Sequence, residues 1–566
     1  LQPAETCYYI ALQQNIVVMS NRSTDILFQL IHSLEKAEKR HFKLYIKRSS
    51  SNENLKVIQL FDAIDHMKDF DEKALLKKLP TVQKTQLSNL KAHLYKQIMA
   101  SLRLLKSAES IDLQLNEQFD YAHILYKKGL FLQSLRILEK AKEMANTHQK
   151  FNILIQIISL EKRIEGLHIT RSMQDRAESL SSEAIQVISQ MDMVARLSNL
   201  ALQLYSWYIR HGHARNEADE ERVKKFFHEL MPKDAVLQTG FYEQLYLYQS
   251  YSWYAFIRQD FILYYRYAQK WVNLFEANPL MKRVETGHYI KGLHNLLNAH
   301  FDLRNYPRLE ETIDVLEAFA KTDRVQQHDN FRIQAWIYIS QARMNQHFIS
   351  GTFRKGLLLV PQIEAQMQAN SLFVDRHRIL VLNYKIAMLH FGSGDFETCI
   401  DYLQKIINDP VDLRHDLQCY ARLLHLLAHY ELKNYSLLEY LTKSVYRFMA
   451  KKEKPTLIEE EMFRFLRKSL SISHMVVRRE LQSFLARIKQ FEKDRFETRS
   501  FAYMDIISWV ESKVYGKSMS EIISAKSTEW AGRRKKPAVN RELPLNLDLP
   551  PASRIPENNL QTSTAR

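Results

Sequence analysis

The chain has 566 residues, of which 12 are Gly and 13 are Pro, each about 2% against typical usage of roughly 7% and 5%. Sheets, nucleotide-binding crossovers and phosphate-cradling loops all need glycine for positive φ and close backbone approach, so this composition points to an all-α fold and disfavours α/β enzymes. Lys and Arg number 80 against 64 Asp and Glu, a formal charge of +16, which favours acidic partners over basic ones.

Residues 1–18 carry a single charge, Glu5, and lack the basic start of a secretory signal. Residues 1–22 therefore read as a disordered leader, with the natural start expected at Met19. Three cysteines, Cys7, Cys399 and Cys419, cannot build a disulfide framework and form no CxxC pair. A cytoplasmic location is expected. No run approaches the roughly 18 apolar residues of a membrane span, so no span is expected.

Residues 23–110 read as an N-terminal helical domain. Ile26, Leu27, Leu30, Ile31 and Leu34 make an apolar helical stripe, and further helices are expected at about 53–66, 71–79 and 83–106. Lys36, Arg40, Lys43 and Lys47 recur at spacings of 4, 3 and 4, which places them on one helical face. This stripe is a candidate phosphate contact, diluted by Glu35 and Glu38. Through it, nucleic-acid binding would be sequence-blind and salt-dependent.

From about residue 115 to 450 the chain repeats itself. HFDLRNY (300–306), HFISGTF (347–353), HFGSGDF (390–396) and HYELKNY (429–435) share His-aromatic at one end and an aromatic at the other. AFIRQDF (255–261) and LYKKGLF (125–131) keep the aromatics. The final aromatics stand at 131, 261, 306, 353, 396 and 435, so successive gaps from 261 are 45, 47, 43 and 39. The stretch from 131 to 261 has room for three such periods. The intervening hairpins are expected as Phe151 to Ile164 with Ala177 to Ile188, then Met193 to Arg210 with Glu221 to Met231. Each unit reads as an amphipathic helix A, a short turn marked by Gly, Asn or Asp, and a helix B. A single hairpin cannot bury its apolar face, whereas stacked neighbours can.

The turn dyads Asn305-Tyr306, Asp395-Phe396, Asn434-Tyr435 and Asp260-Phe261, with a small residue three on at Ser134 and Cys399, resemble the A-to-B turn of tetratricopeptide repeats. The usual unit is about 34 residues long, so this chain resembles the broader tetratricopeptide-like superfamily with longer helices. The resemblance implies a right-handed superhelical α-solenoid of about eight hairpins. It also implies a concave groove lined by helix A, at places that correspond here to 15, 12, 8 and 5 residues before the turn aromatic. Those positions are Tyr246, Gln249, Trp253 and Phe256 in one unit, Lys291, His294, Asn298 and Phe301 in the next, and Tyr338, Gln341, Asn345 and Phe348 in the third. Asn298 and Asn345 are equivalent, and an amide there suits the backbone of an extended peptide.

After the repeats, Thr456 to Leu470, His474 to Phe491 and Phe501 to Tyr515 read as a helical cap over 455–525. Residues 526–566 hold five of the 13 prolines and eight basic side chains against four acidic, and read as a disordered tail.

His300, His347, His390 and His429 cannot share a metal. Equivalent residues of stacked hairpins are spaced by roughly 8–10 Å, while zinc ligands lie about 2 Å from the ion. They read as packing residues in the A/B interface with one ring nitrogen bonded to backbone. No GxSxG, GxxxxGK[ST] or GxGxxG is present, so no enzymatic motif and no cofactor is expected. A helical enzyme built from scattered carboxylates would leave no local motif. The reading that results is a non-enzymatic scaffold that holds an acidic or extended protein or peptide. The alternative is a nucleic-acid-associated regulator using the N-terminal stripe.

Overall fold

In the computed structural model the described residues are 25–48, 52–80, 82–168, 175–371, 373–409, 415–452, 455–470, 474–492, 494–497 and 504–534. Among them there is no strand. The expected leader and the tail beyond 534 lie outside the described residues. The chain divides into two units, residues 1–192 and 193–566.

In the first unit, α1 (Ile26–Ser33), α2 (Lys36–Lys47), α3 (Asn52–Asp65), α4 (Glu72–Lys78) and α5 (Lys84–Lys106) enclose a core that includes Phe28, Ile31, Phe42, Phe61 and Leu94. The chain breaks between α1 and α2 because Leu34 and Glu35 are extended. The carboxylate of Glu38 accepts from the Glu35 N–H at 2.9 Å and starts the new helix. Helices α6 (Ile111–Lys127), α7 (Phe131–Thr147) and α8 (Phe151–Leu167) follow, with a separate core around Ala122, Leu138, Ala141 and Ile157. Ser134 sits where α6 and α7 approach closely, and its hydroxyl donates to the Ala122 carbonyl at 2.8 Å.

The next element differs from expectation. Arg176–His211 is one helix of 36 residues, α9, where two helices in different hairpins are expected. Residues 176–211 contain no Gly and no Pro, so nothing interrupts the hydrogen-bond ladder. The division between the two units falls inside this helix.

The second unit continues with α10 (Glu217–Leu230), a 3₁₀ turn at Ala235–Leu237, and the pair α11 (Phe241–Ile257) and α12 (Phe261–Ala277). Short α13 (Pro279–Val284) leads to α14 (Thr286–Asp302) and α15 (Tyr306–Ala320). After α16 (Asp323–Gln326) come α17 (Asp329–Ser350), α18 (Phe353–Leu357) and α19 (Val360–Ala369). Then follow α20 (Arg376–Ser393) with α21 (Phe396–Ile407), and α22 (His415–Glu431) with α23 (Tyr435–Lys452). The C-terminal helices are α24 (Leu457–Ser469), α25 (His474–Lys489), α26 (Ile506–Tyr515) and α27 (Met519–Arg534). Residues 526–534, expected in the tail, thus belong to α27. A helices pack on their own B helices in α6 on α7, α11 on α12, α14 on α15, α20 on α21 and α22 on α23.

One backbone device ends these A helices. The residue two before the turn aromatic is left-handed: Gly129, Gln259, Arg304, Gly351, Gly394 and Lys433 all have positive φ, between 50° and 91°. The next N–H reaches back five residues to a helical carbonyl, as in Asn305 to His300 at 2.8 Å, Asp395 to His390 at 3.0 Å and Asn434 to His429 at 3.1 Å. This is the six-to-one bond of a Schellman closure. Gln149, before Phe151, repeats it between α7 and α8, with Lys150 N–H on the Ala145 carbonyl at 2.8 Å. The Asn or Asp of the dyad is therefore not the left-handed residue. It starts helix B instead, as Asp260 and Asp395 do by accepting from the N–H groups of Leu263 and Thr398.

The repeated histidines serve the same turn, through a side-chain partner where backbone is expected. His347 Nδ1 meets Thr352 Oγ1 at 2.7 Å, His390 Nδ1 meets Asp395 Oδ2 at 2.9 Å, and His429 Nδ1 meets Asn434 Nδ2 at 3.1 Å. His300 packs near the Tyr265 ring, at 5.4 Å between centroids.

Successive units interlock through small residues. A Cβ at Gly392 on α20 would stand 2.4 Å from the ring of Phe353, a residue only 2% exposed. Gly392→Ala should therefore lower stability by about 1–3 kcal/mol, the usual range for overpacking. Denaturant unfolding measures it, and unchanged stability would show that the ring has room to move.

Candidate peptide groove

Helices α11, α14 and α17 carry the side chains nominated for a groove, and those side chains fall into two groups.

The α11 group is largely interior. Trp253 and Phe256 join a core with Leu200, Leu204, Tyr208 and Phe227, and Trp253 lies 5.2 Å from the Tyr205 ring and 5.6 Å from Tyr208. Gln249 is buried, and its Oε1 has no hydrogen-bond partner among the described residues. Tyr246 is half-buried beside the His288 ring at 5.9 Å. Burial and then the charge of Glu285 raise its pKa.

The α14 and α17 group is connected through side-chain contacts, half-buried except for Asn345, which is buried. The His294 ring stacks on Tyr338 at 3.7 Å with 10° between planes. Asn298 Nδ2 donates to His294 Nε2 at 3.1 Å. Lys385, on α20, donates to Asn345 Oδ1, and its ammonium lies 5.9 Å from the Phe301 ring and 5.6 Å from the Phe348 ring. Gln341 is half-buried.

The electrostatics of this surface are one-sided. His294 is pulled down to about 3 by burial and then by the positive charges of Lys385, Arg378 and Lys291. Its ring is thus neutral, consistent with Nε2 accepting from Asn298. Burial alone brings Lys291 down to about 8. It forms no ion pair with any carboxylate among the described residues, in a protein where Lys39, Lys43, Lys142 and Lys513 all do. A desolvated ammonium without a counter-ion costs free energy that an incoming anion would return.

Lys385 and Arg378 escape a sequence reading. Lys385 stands 11 residues before Phe396, one position off the register that nominated His294 and Gln341, so extending the pattern to a fourth unit selects Tyr384 in its place.

The N-terminal stripe is not one continuous run of free cations. Lys36, Arg40 and Lys47 are exposed, but Lys43 pairs with Asp62 at 2.7 Å. Elsewhere in the first unit, a recess of about 390 Å³ is lined by polar and charged residues of α7, α8 and α9, among which Glu161 pairs with both Lys142 and Arg176. Among the described residues no group of three or more His, Cys, Asp or Glu is placed to hold a metal ion, and no helix is long and apolar enough to cross a membrane.

No family model, no curated protein and no solved structure matches the chain.

Proposed function

We propose that this is a non-enzymatic binding protein whose helical hairpins form a right-handed, tetratricopeptide-like superhelix and hold an acidic, extended peptide or protein segment in its groove. The observation that supports the reading is Lys291, a half-buried lysine without an ion-paired carboxylate, near His294, which stacks on Tyr338 and accepts from Asn298. Carboxylates of the ligand supply the missing counter-charge. The half-buried amide of Asn298 takes its backbone, and the rings exclude water from the contact.

A fluorescent Glu-rich decapeptide titrated into the full chain tests this. Lys291→Met should weaken binding about tenfold, equivalent to about 1.4 kcal/mol, without lowering the melting temperature. Because Lys291 loses its proton near pH 8, affinity should also fall as pH rises from 7 to 9, and this slope should vanish in the variant. Equal affinity for a Gln-rich control peptide would sink the reading. Salt-sensitive binding of an oligonucleotide, lost on replacing the exposed Lys36, Arg40 and Lys47, would favour the nucleic-acid alternative.

A further inference from the structure

The last helix, α27, returns to elements far back in the chain. It packs on α17 and α20, the two helices that carry Tyr338, Asn345 and Phe348 on one side and Arg378 and Lys385 on the other. Its seat is the turn at the end of α17. The Ser520 hydroxyl donates to the Gly351 carbonyl, and the Ser524 hydroxyl donates to the Ser350 carbonyl at 2.8 Å, partners 169 and 174 residues apart. These carbonyls end a helix, so the two serines supply from outside the donors that its C-terminus lacks.

Among the described side chains of α27, Met519, Ile522 and Ile523 are buried, while Glu521, Ala525, Thr528 and Glu529 are exposed. Lys526 ties α27 to the preceding helix, pairing with Glu511 at 2.7 Å and donating to the Ser508 hydroxyl at 2.8 Å. The preceding helix is itself anchored. Trp509 on α26 is 2% exposed and donates through Nε1 to Glu431 at 2.6 Å, and Lys513 pairs with the same carboxylate. Between the two helices stands Gly516, at φ 66° with nothing within 4 Å of where a Cβ would be. An anchored arm and an unobstructed glycine joint together make a hinge, and the Lys526–Glu511 pair is a contact that its opening breaks.

We propose that α27 is a detachable strap: seated on the Gly351 turn, it holds α17 against α20 at the spacing that brings Asn345 to Lys385, and its release loosens the groove. The effect on binding rests on the groove reading above; the strap itself does not.

Two glycines in equivalent turns give the test. A Cβ at Gly351 would lie 2.7 Å from the Ser520 carbonyl oxygen and 3.0 Å from the Ser524 nitrogen, both backbone atoms of α27. Gly394 has the same left-handed role, with φ 91°, and nothing within 4 Å. Gly351→Ala and Gly394→Ala therefore share the local backbone penalty, and only the first displaces α27. In hydrogen exchange of the full chain, the α27 amides should exchange about tenfold faster in Gly351→Ala and in the unstrained pair Ser520→Ala/Ser524→Ala, but at the wild-type rate in Gly394→Ala. The α17 and α20 amides should loosen together with α27. The Glu-rich peptide should bind Gly351→Ala about fivefold more weakly than Gly394→Ala. Matching α27 exchange in the two glycine variants, with the serine pair also unchanged, would overturn the strap. So would a freed α27 that leaves the α17 and α20 amides as protected as before. If the wild-type chain binds no acidic peptide, the groove reading fails, and the exchange data still decide the strap by themselves.

Discussion

Glu220→Ala should be among the most damaging single substitutions in the second unit, with a loss of about 3–5 kcal/mol. The Glu220 side chain is 4% exposed, and its Oε1 accepts from Arg258, itself 8% exposed, at 2.8 Å. Arg495 donates to the other oxygen from 275 residues further along the chain. Burial would raise the pKa of this carboxyl, but the hydrogen bonds and charges of Arg258 and Arg495 outweigh it and hold the pKa below the usual range. Truncation leaves the Arg258 guanidinium buried over the Tyr254 ring, 4.8 Å away, without its ion-pair partner. The cost comes from that orphaned charge more than from the lost pair. The double variant Glu220→Ala/Arg258→Met should therefore be more stable than Glu220→Ala alone, by about 1–3 kcal/mol. Urea unfolding of the four corners of the cycle measures this. A purely additive result would mean that the two charges are independently solvated.

Acid should unfold this protein through its buried neutral histidines. His425 and His429 lie one helical turn apart on α22, 9% and 7% exposed, with their Nε2 atoms 3.3 Å apart. The Asn434 amide donates to His429 Nδ1, which places the His429 proton on Nε2, directed at His425. Neither ring can take a second proton without opposing its neighbour. Burial, then His429, then Arg422 bring His425 down to about 4, and burial also lowers His429. Both folded values lie below the unfolded one, so between pH 6.5 and 4 the unfolded chain binds more protons and stability falls as pH falls. For His425 alone the loss is about 2 kcal/mol by pH 5 and about 3 kcal/mol by pH 4, with none expected above pH 7. Urea midpoints at pH 7, 5.5 and 4.5 follow this. His425→Gln should flatten the slope, and an unchanged slope would place the acid-sensitive group elsewhere.

Local structure is largely written in the local sequence. Expected helices at 83–106 and 456–470 appear as Lys84–Lys106 and Leu457–Ser469, because apolar period and flanking polar residues fix an element within a residue or two. The single helix through 176–211 is not legible as one from its period, since periodicity shows which face is buried but not whether a turn intervenes. The absence of glycine and proline across those residues is the available signal. The left-handed positions at Gln259, Arg304 and Lys433 carry no signal of residue type. Gln259 tolerates its place partly because its amide donates to the Ala214 carbonyl at 2.9 Å, a contact 45 residues away in sequence. The nominated residues of α14 and α17 lie together because equivalent positions of neighbouring A helices face one another. The cations that complete the surface, and the Asp62 that occupies Lys43, come from tertiary contacts with no local trace.

The turns that recur along the chain are alike in geometry and unlike in ease. A left-handed backbone costs an L-residue about 1–2 kcal/mol and glycine almost nothing. Of four successive A helices, α11 and α14 close on Gln259 and Arg304, whereas α17 and α20 close on Gly351 and Gly394. The first two joints are held under tension by the packing around them, and the last two are at rest. A row of hairpins built on such a sequence of joints is stiff at one end and compliant at the other. The compliant end is where Lys385 reaches Asn345 and where the returning C-terminal helix is seated.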